Sequence, residues 1–314
     1  MSSRPSILSF GLAIACILLA RERAQANLIA LDNFETTSTS SSGFYLAGNI
    51  NGQTATTDTV GYYTGSASGN QIAGWQSGTG AFLAQVGGLT NPLLVSPPTT
   101  NDGSFLAAGN ANPRLQYRDL ASISPPVSSD YYFSLLLSES ATSYTGSVYA
   151  GLGSSRPSGA NATIPANGFN IGFNNGALSL FYGNGSASYA TESLLAAPTA
   201  NQTYLVEVHL SLSGPNATFT PSIYDSTGTL VNSPGAQAVT GTINSSTDLG
   251  AFQSWISTNF TNQSPSKVVF DDFRFGTAES DVINPPSVPE PASAVLLALG
   301  SLGIAARRRK RQMS

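Results

Sequence analysis

The segment Thr203–Ser213, TYLVEVHLSLS, alternates with a period of two. Tyr204, Val206, Val208, Leu210 and Leu212 fall on one side, and Leu205, Glu207, His209 and Ser211 on the other. That is the pattern of a half-buried β-strand, because successive side chains of a strand point to opposite faces. Similar short runs recur along the chain between clusters of Gly, Asn, Ser and Pro: Leu28–Phe34, Gln71–Trp75, Ala81–Val86, Ser104–Ala108, Arg114–Leu120, Tyr131–Ser138, Ser147–Leu152, Gly168–Phe173, Ala177–Tyr182, Thr218–Tyr224 and Lys267–Phe275. Asn174-Asn175-Gly176 between two of them has the chemistry of a tight type I′ hairpin turn, which needs positive φ. No amphipathic helical run of useful length interrupts the series. A dozen short strands predict an all-β fold, a two-sheet antiparallel β-sandwich. Thr36–Ser42 reads as a loop.

Composition narrows the functions open to such a body. The chain has one Cys and one His, too few for a zinc site and too few for a disulfide framework. Residues 27–288 hold fifteen acidic and five basic side chains, a net charge of −10, which excludes the basic footprint of a nucleic-acid binder.

The two ends read as addresses. Arg4, the apolar run Ile7–Ala20 and the small-x-small triplet Ala24-Gln25-Ala26 form a secretory signal peptide over residues 1–26, with signal peptidase as its processing partner. The apolar run is shorter than the ~20 residues that span a bilayer. Cys16 leaves with the peptide, so the mature fold is expected to be free of disulfides. At the other end, Pro289-Glu290-Pro291 precedes an apolar stretch, residues 292–306, and an Arg-rich tail, residues 307–311. Such a segment is a short membrane helix whose basic end stays on the cytoplasmic side. Residues 284–288 read as a linker.

That ordered triad resembles the PEP-CTERM sorting signal. The resemblance implies recognition by an exosortase, a membrane-embedded protease-transpeptidase of Gram-negative bacteria. It also implies a transient inner-membrane anchor through the C-terminal helix, followed by release or attachment at the cell surface or extracellular matrix, in company with exopolysaccharide. Pro289, Glu290 and Pro291 are then a processing site, as Ala24 and Ala26 are for signal peptidase. Residues 27–283 form the β-sandwich domain. Their order of strands, ending in Phe270-Asp271-Asp272-Phe273-Arg274-Phe275-Gly276, is similar to the LamG-like, concanavalin A-like jelly rolls. In such folds the first and last strands pair, which would bring Asn27 near Asp281.

No catalytic constellation emerges. His209 has Glu207 two residues away on the same strand face, a polar patch more simply than a base and its orienter, and no Gly-x-Ser-x-Gly elbow accompanies it. Asp271 and Asp272 are adjacent and so are expected on opposite faces; Asp272 and Arg274 share a face, as do Asp271 and Phe273, and the first pair is read as an ion pair near the sheet edge. Trp75 and Trp255 are candidate sugar platforms, with burial in the core the preferred assignment. No cofactor is implied. A structural calcium held by Asp32, Asp58, Asp102 or Asp271 is the one ion the oxygen-rich loops would suit. The leading function is a non-enzymatic, exported, structural or adhesive protein that binds exopolysaccharide; the alternative is a secreted carbohydrate-active hydrolase or lyase acting through Glu139 or Glu207.

Overall fold

The structure, a computed structural model, describes residues 28–32, 34, 36–37, 45–46, 48–49, 53, 59–60, 76–79, 83–86, 88–93, 103–108, 114–120, 129–140, 146–153, 168–183, 189–213, 216–240, 251–256 and 267–283. The chain divides into two compact units, Met1–Asn284 and Pro285–Ser314; every described residue belongs to the first. The strands are β1 (Leu28–Asp32), β2 (Thr36–Thr37), β3 (Tyr45–Leu46), β4 (Gly48–Asn49), β5 (Thr59–Val60), β6 (Gln76–Thr79), β7 (Leu83–Val86), β8 (Gly103–Ala108), β9 (Arg114–Asp119) and β10 (Asp130–Glu139). They continue as β11 (Ser147–Gly153), β12 (Gly168–Asn174), β13 (Ala177–Gly183), β14 (Tyr189–Leu195), β15 (Thr203–Ser213), β16 (Asn216–Tyr224), β17 (Leu230–Asn232), β18 (Gln237–Thr240), β19 (Ala251–Ile256) and β20 (Lys267–Gly276). A one-turn helix, α1 (Glu279–Val282), follows β20.

Two antiparallel sheets hold almost all of these strands. The first runs β17-β16-β15-β10-β20-β8-β7-β4, with β1 also on β20, β5 on β1 and β18 on β16; the second runs β14-β13-β12-β11-β19-β9-β6. β2 and β3 form a short parallel ladder, so Thr36–Thr37 is strand and not loop. β1 pairs with β20, with Leu28 opposite Gly276, so the first and last strands do lie together; Asn27 itself is outside the described residues.

The sandwich follows from the alternation. Tyr204, Val206, Val208 and Leu210 of β15 are buried. They join one cluster with Phe133 and Leu135 of β10 and with Phe169, Ile171 and Phe173 of β12. Aromatic contacts stitch the two sheets: Phe133 meets Phe169 edge-on at 5.1 Å, and Phe169 meets Phe219 of β16 at 5.3 Å. Burial of each such side chain stabilises by about 1.5–3 kcal/mol, the means by which a fold without disulfides holds two faces together.

The β12–β13 turn is the type I′ hairpin that Asn-Gly predicts, with φ of 51° at Asn175 and 78° at Gly176. The Asn175 side-chain oxygen accepts the Gly146 N–H at 2.8 Å, and the Asn175 N–H is donated to the Gly146 carbonyl at 2.8 Å. Next to it, Gly172 leaves room for the facing strand: a Cβ there would lie 2.0 Å from the Val148 carbonyl oxygen and 2.6 Å from the Tyr149 Cβ. Gly172→Ala is therefore expected to lower stability by about 2 kcal/mol through overpacking, measured as a shift of the urea midpoint at unchanged slope.

β20 departs from simple alternation. Val268 and Phe270 belong to the core cluster, and so do Phe273 and Phe275. The change of parity occurs at a bulge opposite β10, between the positions facing Leu136 and Ser134, where Asp272 has φ of 45°. An extra residue in one strand shifts every later side chain to the other face. The expectation that Asp271 and Asp272 point apart, and that Asp271 shares a face with Phe273, is thus corrected. Both carboxylates reach one segment: the Leu89 N–H is donated to Asp271 at 2.6 Å and the Asn91 side-chain amide to Asp272 at 2.6 Å. Asp272 also accepts from Arg274 Nε at 2.7 Å, the expected ion pair. It is buried and on a strand flanked by β10, β8 and β1, not near an edge.

Candidate functional site

The outward positions of β10, β15 and β16 bring together the polar side chains of three strands. The register sets Tyr132 opposite His209 and His209 opposite Thr220, and sets Ser134 opposite Glu207 and Glu207 opposite Ser222. Val206 and Val208 face the core, so Glu207 and His209 face outward. The His209 ring lies on the Tyr132 ring, with centroids 4.5 Å apart and planes 6° apart. His209 Nε2 is hydrogen-bonded to Asp130 Oδ1 at 2.9 Å, and the Ser129 hydroxyl is donated to Asp130 Oδ2 at 2.6 Å. The Ser129 bond and then the His209 bond hold the Asp130 carboxyl below the usual carboxylate range.

His209 thus belongs to a cross-strand polar patch and is not paired with Glu207 as a base with its orienter. The polar partner of His209 comes from β10, on a strand 79 positions away in sequence, rather than from two residues along its own strand. Glu207 is instead 5% exposed and has no hydrogen-bond donor among the described residues. Burial, and then the charge of Glu279, push its carboxyl up from 4.5 to about 7. A carboxylate out of water favours its neutral form unless donors or a cation answer it.

α1 lies on the same face. The Ser134 hydroxyl is donated to the Val282 carbonyl at 2.8 Å. Asp281 Oδ2 accepts the N–H groups of Thr277 and Ala278 at 3.2 and 3.0 Å, which fixes the start of the helix. Gly276 makes this possible, since a Cβ there would lie 2.6 Å from the Asp281 Cβ. The tyrosines register the same cluster of acids. Tyr132 is pushed up by burial and then by Asp130, Glu279 and Glu207; Tyr224 by burial and then by Glu207 and Glu279. Arg274, the one basic side chain described on β20, is committed to Asp272.

The remaining sequence candidates lie elsewhere. Glu139 ends β10 and is 2% exposed, on the parity of the core residues Phe133, Leu135 and Leu137. Asp32 is wholly buried with Arg118 Nη1 3.7 Å away, and its Oδ1 accepts the Phe34 N–H at 2.9 Å. Asp271 accepts from the backbone of Leu89 and of Asp272. Among the described residues no group of three or more His, Cys, Asp or Glu is arranged to hold a metal ion. Trp255 is paired in register with Tyr149, which belongs to a small cluster with Phe181 apart from the main core; the Trp255 side chain, Trp75, Asp58 and Asp102 are outside the described residues. So are Ala24, Ala26, Pro289, Glu290, Pro291, the linker and the apolar stretch 292–306. Among the described residues no helix is long and apolar enough to cross a membrane.

Residues 287–310 match the model of the PEP-CTERM protein-sorting motif. That motif marks an exported protein that is handled by an exosortase and passes through a membrane-anchored stage to the surface. No curated protein matches the chain. Among solved structures, the binding domain of botulinum neurotoxin serotype C1 is 14% identical, with a TM-score of 0.40 over 62% of this chain and 43% of that one. The binding domain of botulinum neurotoxin serotype G is 10% identical, with a TM-score of 0.38 over 63% of this chain and 43% of that one. The marine PL-14 alginate lyase from Aplysia kurodai is 9% identical, with a TM-score of 0.38 over 58% of this chain and 86% of that one. The chain spans less than half the length of the neurotoxin chains.

Proposed function

We propose that this is a non-enzymatic surface or matrix protein of a Gram-negative bacterium, which binds polysaccharide of its own cell on the outer face of β10, β15 and β16. In this reading signal peptidase cuts after Ala26, and an exosortase acts at Pro289-Glu290-Pro291 while residues 292–306 hold the chain in the membrane. The body, residues 27–283, then works outside, in a structural or adhesive role. The observation that carries the reading is the half-exposed Tyr132–His209 stack flanked by Asp130, Glu207 and Tyr224. A sugar ring presents an apolar C–H face to aromatic rings and hydroxyl donors to carboxylates. A flat aromatic surface with polar groups at its margin answers both.

A carbohydrate-active hydrolase is the second reading, favoured by a Glu207 carboxyl that holds its proton to about pH 7, as a general acid should. Spacing argues against its pairing with Asp130. Asp130 sits opposite Ser211, four residues along β15 from Glu207, or about 13 Å at strand rise. Paired glycosidase carboxyls stand about 5–10 Å apart. A lyase acting on uronates would need a cation to neutralise the sugar carboxylate, and Arg274 is already spent on Asp272.

Two assays on one mixture separate the readings. The purified chain is titrated with polysaccharide from the producing cells, and the same samples are assayed for new reducing ends. Saturable binding without new ends is expected, with Tyr132→Ala weakening it about tenfold, or ~1.4 kcal/mol. New ends that vanish with Glu207→Gln would make the protein an enzyme.

A further inference from the structure

We propose that the edge formed by β17 and β18 is an interface between two copies of this chain, which pair antiparallel along it and continue the first sheet across a two-fold axis. This goes beyond the polysaccharide reading and does not depend on it.

β17 and β18 lie end to end along β16. Leu230 and Asn232 pair with Tyr224 and Ile223, Val231 standing as the extra residue between them, and Gln237–Thr240 pair with Phe219 to Asn216. Neither strand pairs with any other described strand, so their far side is an open edge of the sheet. Natural sheets guard such an edge with charge or proline, or cover it. Here residues 226–247 contain no charged side chain, and Pro234 falls between the two strands, where it removes no donor from either. The adjoining edge of the second sheet is guarded: β14 carries Glu192, and its Leu194 carbonyl accepts from the Asn232 side-chain amide. Among the described residues the exposed large apolar side chains are Leu230, at 51%, and Val231, at 42%, side by side on this unguarded edge.

The charge pattern selects the occupant. Residues 27–288 carry a net charge of −10, so two copies repel each other over most of their surface. β16, β17 and β18 hold no charged residue. Asp225, between β16 and β17, spends its carboxylate on its own turn, accepting from Thr227 and Thr229. This edge is therefore where a like-charged copy can approach. It is also self-complementary: an antiparallel edge meets its own copy about a two-fold axis normal to the sheet, which gives a closed, isologous pair. The midpoint of Leu230–Thr240 is Gly235, where a side chain would find nothing within 4 Å, so two backbones can meet there unobstructed. β17 of one copy then lies against β18 of the other, and Leu230 and Val231 are withdrawn from water. The axis keeps both outer faces on the same side. Two Tyr132–His209 stacks are thereby offered to one polymer, a gain in avidity without any new contact to the sugar.

The test is sedimentation of the full chain in detergent across a concentration series, with the protein mass read apart from the detergent. A monomer–dimer equilibrium is expected. Leu230→Glu with Val231→Glu sets like charges against each other on the two copies and is expected to weaken the dimer at least about tenfold. Val231→Thr, uncharged and suited to a strand, is expected to leave it intact. Both positions are exposed, so the far-ultraviolet circular dichroism of each variant should match that of the wild type, which separates a lost interface from a lost fold. A chain that stays monomeric throughout would overturn the proposal. So would a dimer that the double glutamate variant leaves intact, since the copies would then meet elsewhere, residues 292–306 included. Assemblies that keep growing with concentration would overturn it too, because a two-fold pair closes. A dimer that sheds the double variant but binds no polysaccharide would keep this interface and remove only the reading of the β10, β15 and β16 face.

Discussion

Asp32→Ala is expected to cost about 4 kcal/mol, near the middle of the range for breaking a buried ion pair by removing one partner. Asp32 on β1 and Arg118 on β9 are both wholly buried, 3.7 Å apart. β1 belongs to the first sheet and β9 to the second, so the pair spans the inside of the sandwich. Removing the carboxylate takes a charged partner from a wholly buried guanidinium, which cannot shed its charge. It also takes the acceptor from the Phe34 N–H, and Phe34 holds a left-handed φ of 49° that a side chain of its size rarely adopts. With a slope near 3 kcal/mol/M, the upper end for small proteins, the urea midpoint should fall by more than about 1 M. A fall below about 0.3 M would show the pair contributes little. The double variant Asp32→Leu with Arg118→Met is expected to recover most of the loss, because an apolar pair of similar volume carries no desolvation cost.

That pair shows where the sequence stops being readable. Strand identity was legible wherever apolar residues alternate or cluster: β15 lies at Thr203–Ser213, as its period of two predicts. β14, YATESLL, and β19, AFQSWI, were not, because Ala and Glu are poor strand formers and neither run alternates cleanly. Register between strands distant in sequence was not legible either. His209 meets Asp130 and Asp32 meets Arg118 only because non-adjacent strands pair or face each other. Glu207 and His209, on the polar side of the alternating Thr203–Ser213 run, were the signal that pointed to the face; the partner positions Asp130, Tyr132 and Ser134 of β10 alternate with buried Tyr131, Phe133 and Leu135 but carry no mark of which strand they meet. The bulge at Asp272 was hidden, since Asp tolerates a left-handed φ without announcing it as Gly does. Nor does ESDV read as a helix: one turn carries no period, yet α1 sets the surroundings of Glu207.

Glu207→Gln is expected to stabilise the protein at pH 8 by at most about 3.5 kcal/mol, taking ~1.4 kcal/mol for each pH unit by which the carboxyl is raised. The sign follows from the direction of the shift, from 4.5 to about 7. The folded chain holds this proton more tightly than the unfolded chain does, so between those values it carries more protons and stability falls as pH rises. Below the lower value both states are protonated and the carboxyl costs nothing; above the upper value both are ionised and the full penalty applies. The gap between wild type and Glu207→Gln should therefore close near pH 4 and open through pH 7 to a plateau. Because Asp130, pulled the other way by Ser129 and His209, is common to both proteins, its acid sensitivity cancels in the difference. A gap that stays flat with pH would mean Glu207 is not raised by its site. A carboxyl that amide replacement makes less costly to fold is the mark of a group kept for binding. The same variant should bind the cell's own polysaccharide more weakly in the pH range where it gains stability, and that opposition of the two effects is what a purely structural Glu207 would not produce.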